Sequence, residues 1–377
     1  MYLMNGNKAV LYYNLDDMVI KVLDNVFLPY SLKDYIQSTD LTLGIAGMIK
    51  NSKYIETLKD FLSNRVLNIS KSNAKAILNS AELPATPRTQ DRITICHACR
   101  GLSITDNFWL KNDNENITFK DVNLRYKHLK DAAFKVSILG HVLTISREIL
   151  KPDLGTQGMF AKTWNRTENG IELWKTDKTI DNINTKAEIR TSQILDNTNV
   201  SHVKYYEYIK NKVYMAVCPC ITNDGYSIIS GQDLKDWCFH TNQDFLEIIE
   251  NINKKAFAQM VVIDYLISNT DRHLENFAFI IDNKTNNIID MAPLYDHNQA
   301  LIADVLENDI GDLLYEPTGL SMKESAIKYF VDADLKIDIE NCKKCQLFTF
   351  FDKNIRITEK LNDLEYCNNR IEEKEEL

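Results

Sequence analysis

Three stretches of different hydrophobic periodicity divide the chain. Near the start, residues 9–13 and 19–23 are apolar runs on either side of the turn-prone residues 14–17, which predicts two strands of a small sheet. Apolar residues then recur at helical spacing, first at Ile55, Leu58, Phe61 and Leu62 and again at Ala74, Ile77 and Leu78. We therefore predict an N-terminal subdomain of a small sheet and helices over residues 1–140.

The pattern changes to short β-rich runs in residues 141–222. Residues 170–175 and 212–217 have strand character, and residues 187–195 between them have helical spacing. The first of these strands carries Lys175, and Glu188 lies on the helix. We predict a second, small β-rich subdomain here.

Residues 223–377 are predicted to be mostly helical. Residues 256–268 form an apolar helix, and residues 277–281 and 288–291 read as a hairpin. The charged tail after residue 355 predicts a solvated surface helix or a frayed end. The predicted fold class is α+β.

Composition narrows the range of functions. A chain of 377 residues with 44% hydrophobic content can bury a sizeable core in two or three domains. Its net charge is −9 with no Lys/Arg-rich run, so we expect no direct contact with nucleic acid. No apolar run is long enough to span a membrane and the start lacks signal-peptide order, so we expect no membrane contact and a cytoplasmic protein.

The eight cysteines are too sparse for a disulfide scaffold. Two pairs, Cys96 with Cys99 and Cys342 with Cys345, have the two-residue gap of a zinc half-site, but they lie far apart in sequence. Unligated thiols are therefore favoured over a shared zinc site. The phosphate loop of P-loop enzymes, the zinc helix of metalloproteases and the nucleophile elbow of hydrolases are all absent.

The segment around Asp271 carries the candidate chemistry. Asn276 follows Asp271 by five positions, and Asp296 follows the predicted hairpin. A loop Asp can accept a hydrogen bond from a hydroxyl and take its proton, whereas Asn and Asp oxygens are ligands that magnesium prefers. We predict Asp271 as a catalytic base and Asn276 with Asp296 as metal ligands of an ATP- and Mg²⁺-dependent phosphotransferase.

Two neighbours of Asp271 permit alternative interpretations. His273 either assists catalysis by orienting Asp271 or a phosphate, or is a structural hydrogen-bonding residue. Arg272 either stabilises transferred charge, or faces solvent, or pairs with Glu275.

A glycine-containing loop precedes the Lys175 strand. Gly155, Thr156, Gln157 and Gly158 form a turn in which backbone N–H groups can approach phosphates closely. The Lys175 ammonium is then placed to pair with phosphates and with Glu188. Lys162, nearer to the loop, is the rival for the phosphate contact.

The Asp271 segment, residues 293–296, the glycine loop and Lys175 together resemble the HipA family of bacterial serine/threonine kinases. The resemblance implies a two-lobed protein-kinase-like fold with an additional N-terminal subdomain, residues 141–222 as small lobe and 223–377 as helical large lobe. It implies Cys218 and Cys220 at the hinge. It also implies a protein substrate and a small helix-turn-helix antitoxin as partner.

The sequence departs from this family in two places, both near the glycine loop. Met159 and Phe160 are a bulky insertion, and Pro152 stands where the better-known toxins carry a self-phosphorylated serine, so autoinhibition by that route is not expected. The leading hypothesis is a protein serine/threonine kinase of toxin–antitoxin or stress type. A small-molecule kinase and a non-catalytic nucleotide-binding module remain the alternatives.

Overall fold

The computed structural model describes residues 1–39, 45–66, 88–126, 161–177, 181–308 and 310–375. Helices and strands alternate in a mixed α/β fold. The helices are α1 (Ile45–Asn64), α2 (Thr89–Ala98), α3 (Phe119–Val122), α4 (Ile183–Leu195), α5 (Gly231–Thr241), α6 (Phe245–Leu266), α7 (Ile302–Val305), α8 (Met322–Ala333), α9 (Ile339–Lys344) and α10 (Ile357–Glu375). The strands are β1 (Tyr2–Asn5), β2 (Lys8–Asn14), β3 (Val19–Val22), β4 (Phe108–Lys111), β5 (Ala161–Thr167), β6 (Gly170–Thr176), β7 (Tyr206–Lys210), β8 (Val213–Pro219), β9 (Tyr226–Ser230), β10 (Ala278–Asp282), β11 (Asn287–Met291), β12 (Leu314–Tyr315), β13 (Leu320–Ser321), β14 (Thr349–Phe350) and β15 (Lys353–Asn354).

The N-terminal sheet has the order β3-β2-β1-β4, with all neighbours antiparallel. The two predicted strands are confirmed as β2 and β3, and the first predicted helix as α1, which packs against α2. The apolar residues of these elements form one buried cluster. Trp109 of β4 is fully buried, and its indole Nε1 donates to the carbonyl of Gly6 at 2.6 Å. The helical spacing at residues 74–78 lies outside the described residues.

A second antiparallel sheet has the order β5-β6-β8-β7 and carries α4 beside it. Strands β6 and β8 and helix α4 confirm the predicted elements. Strand β7 was not predicted, because nearly all its side chains are exposed and it lacks an apolar alternation. It is held by pairing with β8.

The predicted apolar helix is the second part of α6. A kink at Asn253 divides α6, and there the Asn253 Oδ1 accepts a hydrogen bond from the Ala256 N–H at 2.9 Å. Residues Phe257 to Ile267 are almost all buried. The predicted hairpin is confirmed as β10 and β11, and β9 adds a third strand that the sequence pattern did not indicate.

The C-terminal helix α10 corrects one expectation. It is not a purely solvated helix, because Leu364 is fully buried and Lys360 is 8% exposed. Helix α10 packs against α6 and α8. The many charged residues of the tail led to the expectation of a solvated helix, although one of them, Lys360, is buried.

Two further findings concern expectations about membranes and thiols. Among the described residues, no helix has the length and apolar character needed to cross a membrane. Cys96, Cys99 and Cys342 are buried and Cys345 is exposed, and none of the four forms a disulfide in the described part of the chain. Within the described ranges, no three or more His, Cys, Asp and Glu side chains cluster as a metal site.

Candidate functional site

Lys175 lies at the centre of a buried polar network. It projects from β6, and its ammonium donates to Glu188 Oε1 at 2.8 Å, to Asp296 Oδ1 at 3.1 Å and to the Tyr205 hydroxyl at 3.1 Å. Lys175 is 5% exposed and Glu188 is 1% exposed. Burial of charged groups is costly unless they are paired. In this network the Lys175 ammonium is paired with two carboxylates, those of Glu188 and Asp296.

Asp296 joins this network to the segment after β11. Its backbone has a left-handed φ of 59°, which an Asp tolerates better than most residues. Its carboxylate accepts hydrogen bonds from Lys175 and from Asn298 Nδ2, the latter at 2.8 Å, and Lys162 Nζ lies 3.5 Å from the other oxygen. The predicted lysine and its rival therefore both contact the predicted metal ligand.

The Asp271 loop begins where α6 ends. Ser268 there has a left-handed φ of 56°, so the chain turns sharply away from the helix axis. The Asn276 amide donates to the main-chain carbonyl of Asp271 at 2.8 Å, which closes the loop and leaves the Asn276 side-chain oxygen as the atom that could face a cation. His273 Nδ1 accepts from the Glu275 N–H at 3.2 Å.

Arg272 corrects the alternatives predicted for it. It neither faces solvent nor pairs with Glu275; it is buried and forms a two-bond ion pair with Asp264 of α6, at 2.8 and 3.1 Å. Its guanidinium also donates to the main-chain carbonyls of Asn276 and Tyr295. Arg272 thus ties the Asp271 loop to the segment that carries Asp296.

The charges of the site influence one another. Burial raises the pKa of Asp296, but Lys162 and Lys175 outweigh it and hold that pKa below its usual range. Burial lowers the pKa of Lys162, and Asp296 offsets this only in part. Burial raises the pKa of Asp271, while His273 opposes the rise. Asp271 also interacts electrostatically with Asp296 and Lys162, so it lies near the same charges.

The predicted hinge residues, Cys218 and Cys220, lie near the end of β8, the strand that pairs with β6. Cys218, near the end of β8, is buried, and burial raises the pKa of its thiol to about 12, so it is a neutral group. The Cys220 N–H donates to the Ile171 carbonyl at 2.8 Å. The predicted glycine loop, with Gly155, Thr156, Gln157 and Gly158, lies outside the described residues, as does Pro152.

The donor set fits a hard divalent cation. Asp296 supplies a carboxylate, Asn276 an amide oxygen, and the buried Asn298 Oδ1 has no hydrogen-bond partner among the described residues. Such oxygens are the ligands that magnesium takes, usually few from the protein and the rest from water and phosphate.

Sequence reasoning missed three residues of the site, Tyr205, Asp264 and Asn298, and it did not foresee that Lys162 contacts Asp296. Tyr205 lies directly before β7 and Asp264 in the last turn of α6, where each resembles an ordinary core position. A buried Asp inside an apolar helix was the one available signal, because an ionised carboxylate there needs a partner.

Comparison with solved structures first defines the class of fold. A chain from the Shewanella oneidensis MR-1 toxin–antitoxin complex of HipA, HipB and operator DNA is similar over 97% of this chain and 91% of that chain, with a TM-score of 0.52 and 12% identity. The Helicobacter pylori proinflammatory kinase CtkA is similar over 57% of this chain and 95% of that chain, with a TM-score of 0.42 and 15% identity. The first likeness shows a shared fold.

Residues 232–346 match the model of the HipA-like C-terminal domain. This part of the chain is therefore similar to the HipA-like C-terminal domain, and the resemblance inferred from the sequence is confirmed. The matched range contains Asp271, Asn276 and Asp296, whereas Lys162, Lys175 and Glu188 lie before it. Comparison with curated proteins gives no match.

Proposed function

We propose that this protein is an ATP- and magnesium-dependent protein serine/threonine kinase of the HipA type. The observation that carries the proposal is the contact of Lys175 with both Glu188 and Asp296, beside a loop that holds Asp271 and Asn276. A phosphate lysine paired with a helix Glu, together with a base and two oxygen ligands, is the set of groups that phosphoryl transfer uses. The match to the HipA-like C-terminal domain supports the same assignment.

In this proposal the nucleotide lies between two lobes. Residues 141–222 form the small lobe and residues 223–377 the helical large lobe, with residues 1–140 as an additional subdomain. Lys175, held by Glu188 and Tyr205, pairs with the phosphates, and the loop with Gly155, Thr156, Gln157 and Gly158 covers them. Adenine is held at the hinge, by backbone groups near Cys218 and Cys220.

Asn276 and Asp296 hold the metal. When bound, magnesium supplies positive charge that neutralises the phosphate oxygens. Asp296 is ionised and ready for this role, because Lys162 and Lys175 depress its pKa. Arg272 fixes the spacing between the two ligand segments through its bonds to the carbonyls of Asn276 and Tyr295.

Asp271 acts on the acceptor hydroxyl. Its carboxylate accepts a hydrogen bond from that hydroxyl and takes the proton as the acceptor oxygen bonds to the γ-phosphorus, while the bond from that phosphorus to the β-phosphate bridging oxygen breaks. The products are the phosphorylated acceptor and ADP. His273 lowers the pKa of Asp271 against the effect of burial and so keeps more of it ionised.

The acceptor in this proposal is a protein, and a small helix-turn-helix antitoxin is the expected partner. The similar Shewanella oneidensis structure contains HipA, HipB and operator DNA. An antitoxin of this kind would supply the DNA contact, because the chain itself has a net charge of −9.

The test is incubation of the purified protein with γ-labelled ATP, magnesium and a cell lysate. A labelled protein band supports the proposal, a labelled small molecule supports a small-molecule kinase, and nucleotide binding without any transfer supports an interaction module. We expect Asp271→Ala to fold and to lose transfer by at least about 10³-fold. Asp16→Ala, in the exposed turn after β2, is the matched control and should keep full activity.

Asp296→Ala tests the metal assignment separately. We expect it to abolish transfer and also to weaken ATP binding in the presence of magnesium, because Asp296 would help to hold the metal whose charge neutralises the phosphates. Calorimetry with and without magnesium measures this difference. Wild-type activity in either purified variant would refute the roles given to these residues.

A further inference from the structure

Asn298 lies two residues beyond Asp296 and is held in place from two sides. It is 8% exposed, and its main-chain carbonyl accepts a hydrogen bond from Asn184 Nδ2 at 3.0 Å. Its own Nδ2 donates to Asp296 Oδ1 at 2.8 Å. Both the backbone and the side chain of Asn298 are therefore fixed relative to the Asp296 carboxylate.

The orientation of the Asn298 amide follows from its neighbour. An ionised carboxylate only accepts hydrogen bonds, so the amide nitrogen has to face Asp296, and a turned amide would place two acceptors against each other. The Asn298 Oδ1 then points elsewhere, and it is buried with no hydrogen-bond partner among the described residues. Leaving a buried acceptor unpaired costs roughly 1–3 kcal/mol, which a structural amide would avoid.

We propose that Asn298 is a third residue of the metal site, an inference that rests on the proposed function. Its Nδ2 positions the Asp296 carboxylate, and its Oδ1 is an oxygen acceptor for the hydrated cation. This accounts for the unpaired oxygen, because a cation with its water shell supplies the partner that the protein lacks. The free-energy cost of the unpaired Asn298 Oδ1 in the metal-free protein is offset when the cation binds.

The test measures metal binding directly. Mn²⁺ replaces magnesium as a paramagnetic probe, and electron paramagnetic resonance of the free ion gives its affinity for the full chain with a non-hydrolysable ATP analogue. We expect Asn298→Ala to lower Mn²⁺ affinity by about tenfold. Its affinity for the analogue without metal should be unchanged. Asn287→Ala, an exposed Asn at the start of β11, is the matched control and should bind Mn²⁺ like the wild type.

A second variant separates a role in the metal site from a merely structural one. Asn298→Asp keeps the size and an oxygen but places two carboxylates together, so we expect lower thermal stability without metal and a larger rise in Tm with Mn²⁺ than the wild type shows. Its Mn²⁺ affinity should equal or exceed that of the wild type. Wild-type affinity in Asn298→Ala, or the same loss of affinity in both variants, would overturn the inference alone. Absence of nucleotide-dependent Mn²⁺ binding in the wild type would overturn it together with the proposed function.

Discussion

At the scale of single residues, the two lysines on Asp296 differ in how firmly they are held. Lys175 has three partners, and burial would lower its pKa but Asp296 and Glu188 keep it raised. Lys162 has one described ion-pair partner, Asp296, and its pKa is lowered. Lys175 is thus a positive charge held firmly in place. Lys162 is the lysine whose contact with Asp296 breaks more easily when a nucleotide binds.

This difference gives a prediction for the two lysines. We expect Lys175→Met to reduce kcat/KM for ATP by at least about 10²-fold, because it removes a fixed charge at the phosphates. Lys162→Met should weaken nucleotide binding by about tenfold and leave more turnover, since Lys175 still pairs with Asp296. Steady-state kinetics measure both, with the exposed Lys204→Met as control. A larger loss in Lys162→Met than in Lys175→Met would assign the main phosphate contact to Lys162.

His273 and Asp271 give a prediction for pH. Asp271 must be ionised to act as base, and its pKa is raised by burial and lowered by His273. Replacing His273 by Gln removes the effect that opposes burial, so the Asp271 pKa rises further and the acid side of the kcat/KM profile moves to higher pH. His240→Gln, which removes a ring stacked on Tyr35, is the control and should leave the profile in place. A shift to lower pH in His273→Gln would contradict the electrostatic role.

At the scale of elements, local pattern predicted those whose apolar residues face a core. Strands β2, β3 and β6, the β10–β11 hairpin and the second part of α6 were all visible in the periodicity. Strand β7 was missed because it is exposed, and its existence depends on pairing with β8. The burial of one face of α10 was not predicted for a related reason: in a charged helix, a buried lysine has the same local sequence pattern as an exposed one.

That buried lysine connects α10 to the Asp271 loop. Lys360 donates to the Tyr265 carbonyl at 3.1 Å and to the Ser268 hydroxyl, and lies 3.7 Å from Asp304 Oδ2. These groups close the end of α6, where the chain turns toward Asp271. The positive charge also complements the carbonyl end of the helix.

We expect Lys360→Met to destabilise the fold by roughly 3 kcal/mol, because the Asp304 side chain is fully buried and loses one of the two positively charged partners it has among the described residues, Lys360 and Arg356. Urea unfolding measures this change in the free energy of unfolding. Lys353→Met removes an exposed ion pair with Glu307 and should cost less than about 1 kcal/mol. Equal effects of the two substitutions would show that Lys360 contributes no more than a surface charge.

At the scale of the whole molecule, the site is assembled from segments far apart in sequence. Motif spacing predicts Lys175, Asp271, Asn276 and Asp296, because phosphoryl transfer requires those side chains in that order. Tyr205, Asp264 and Asn298 could not, since only folding brings them to the site. Local sequence therefore indicates the proposed reacting groups more readily than the residues that contact them.

The N-terminal sheet also depends on long-range contacts, because it docks on the hairpin that separates Asn276 from Asp296. Asn286, in the turn between β10 and β11, is 4% exposed and donates to the carbonyls of Val26 at 2.8 Å and Leu28 at 2.9 Å. Nearby, Trp237 Nε1 donates to Asp34 at 3.1 Å. The two parts of the molecule are therefore joined by polar contacts, of which those of Asn286 are at least partly buried, as well as by the chain.

We expect Asn286→Ala to destabilise the protein by about 3 kcal/mol, because the carbonyls of Val26 and of the buried Leu28 lose their donor and Ala tolerates the left-handed φ of 57° poorly. Asn286→Gly removes the same hydrogen bonds but accepts that φ, so it should cost about 1 kcal/mol less. Hydrogen exchange should become faster both in residues 26–28 and in β10 and β11, since each side of the contact supports the other. Faster exchange on one side only would mean that the N-terminal sheet and the hairpin are stabilised independently.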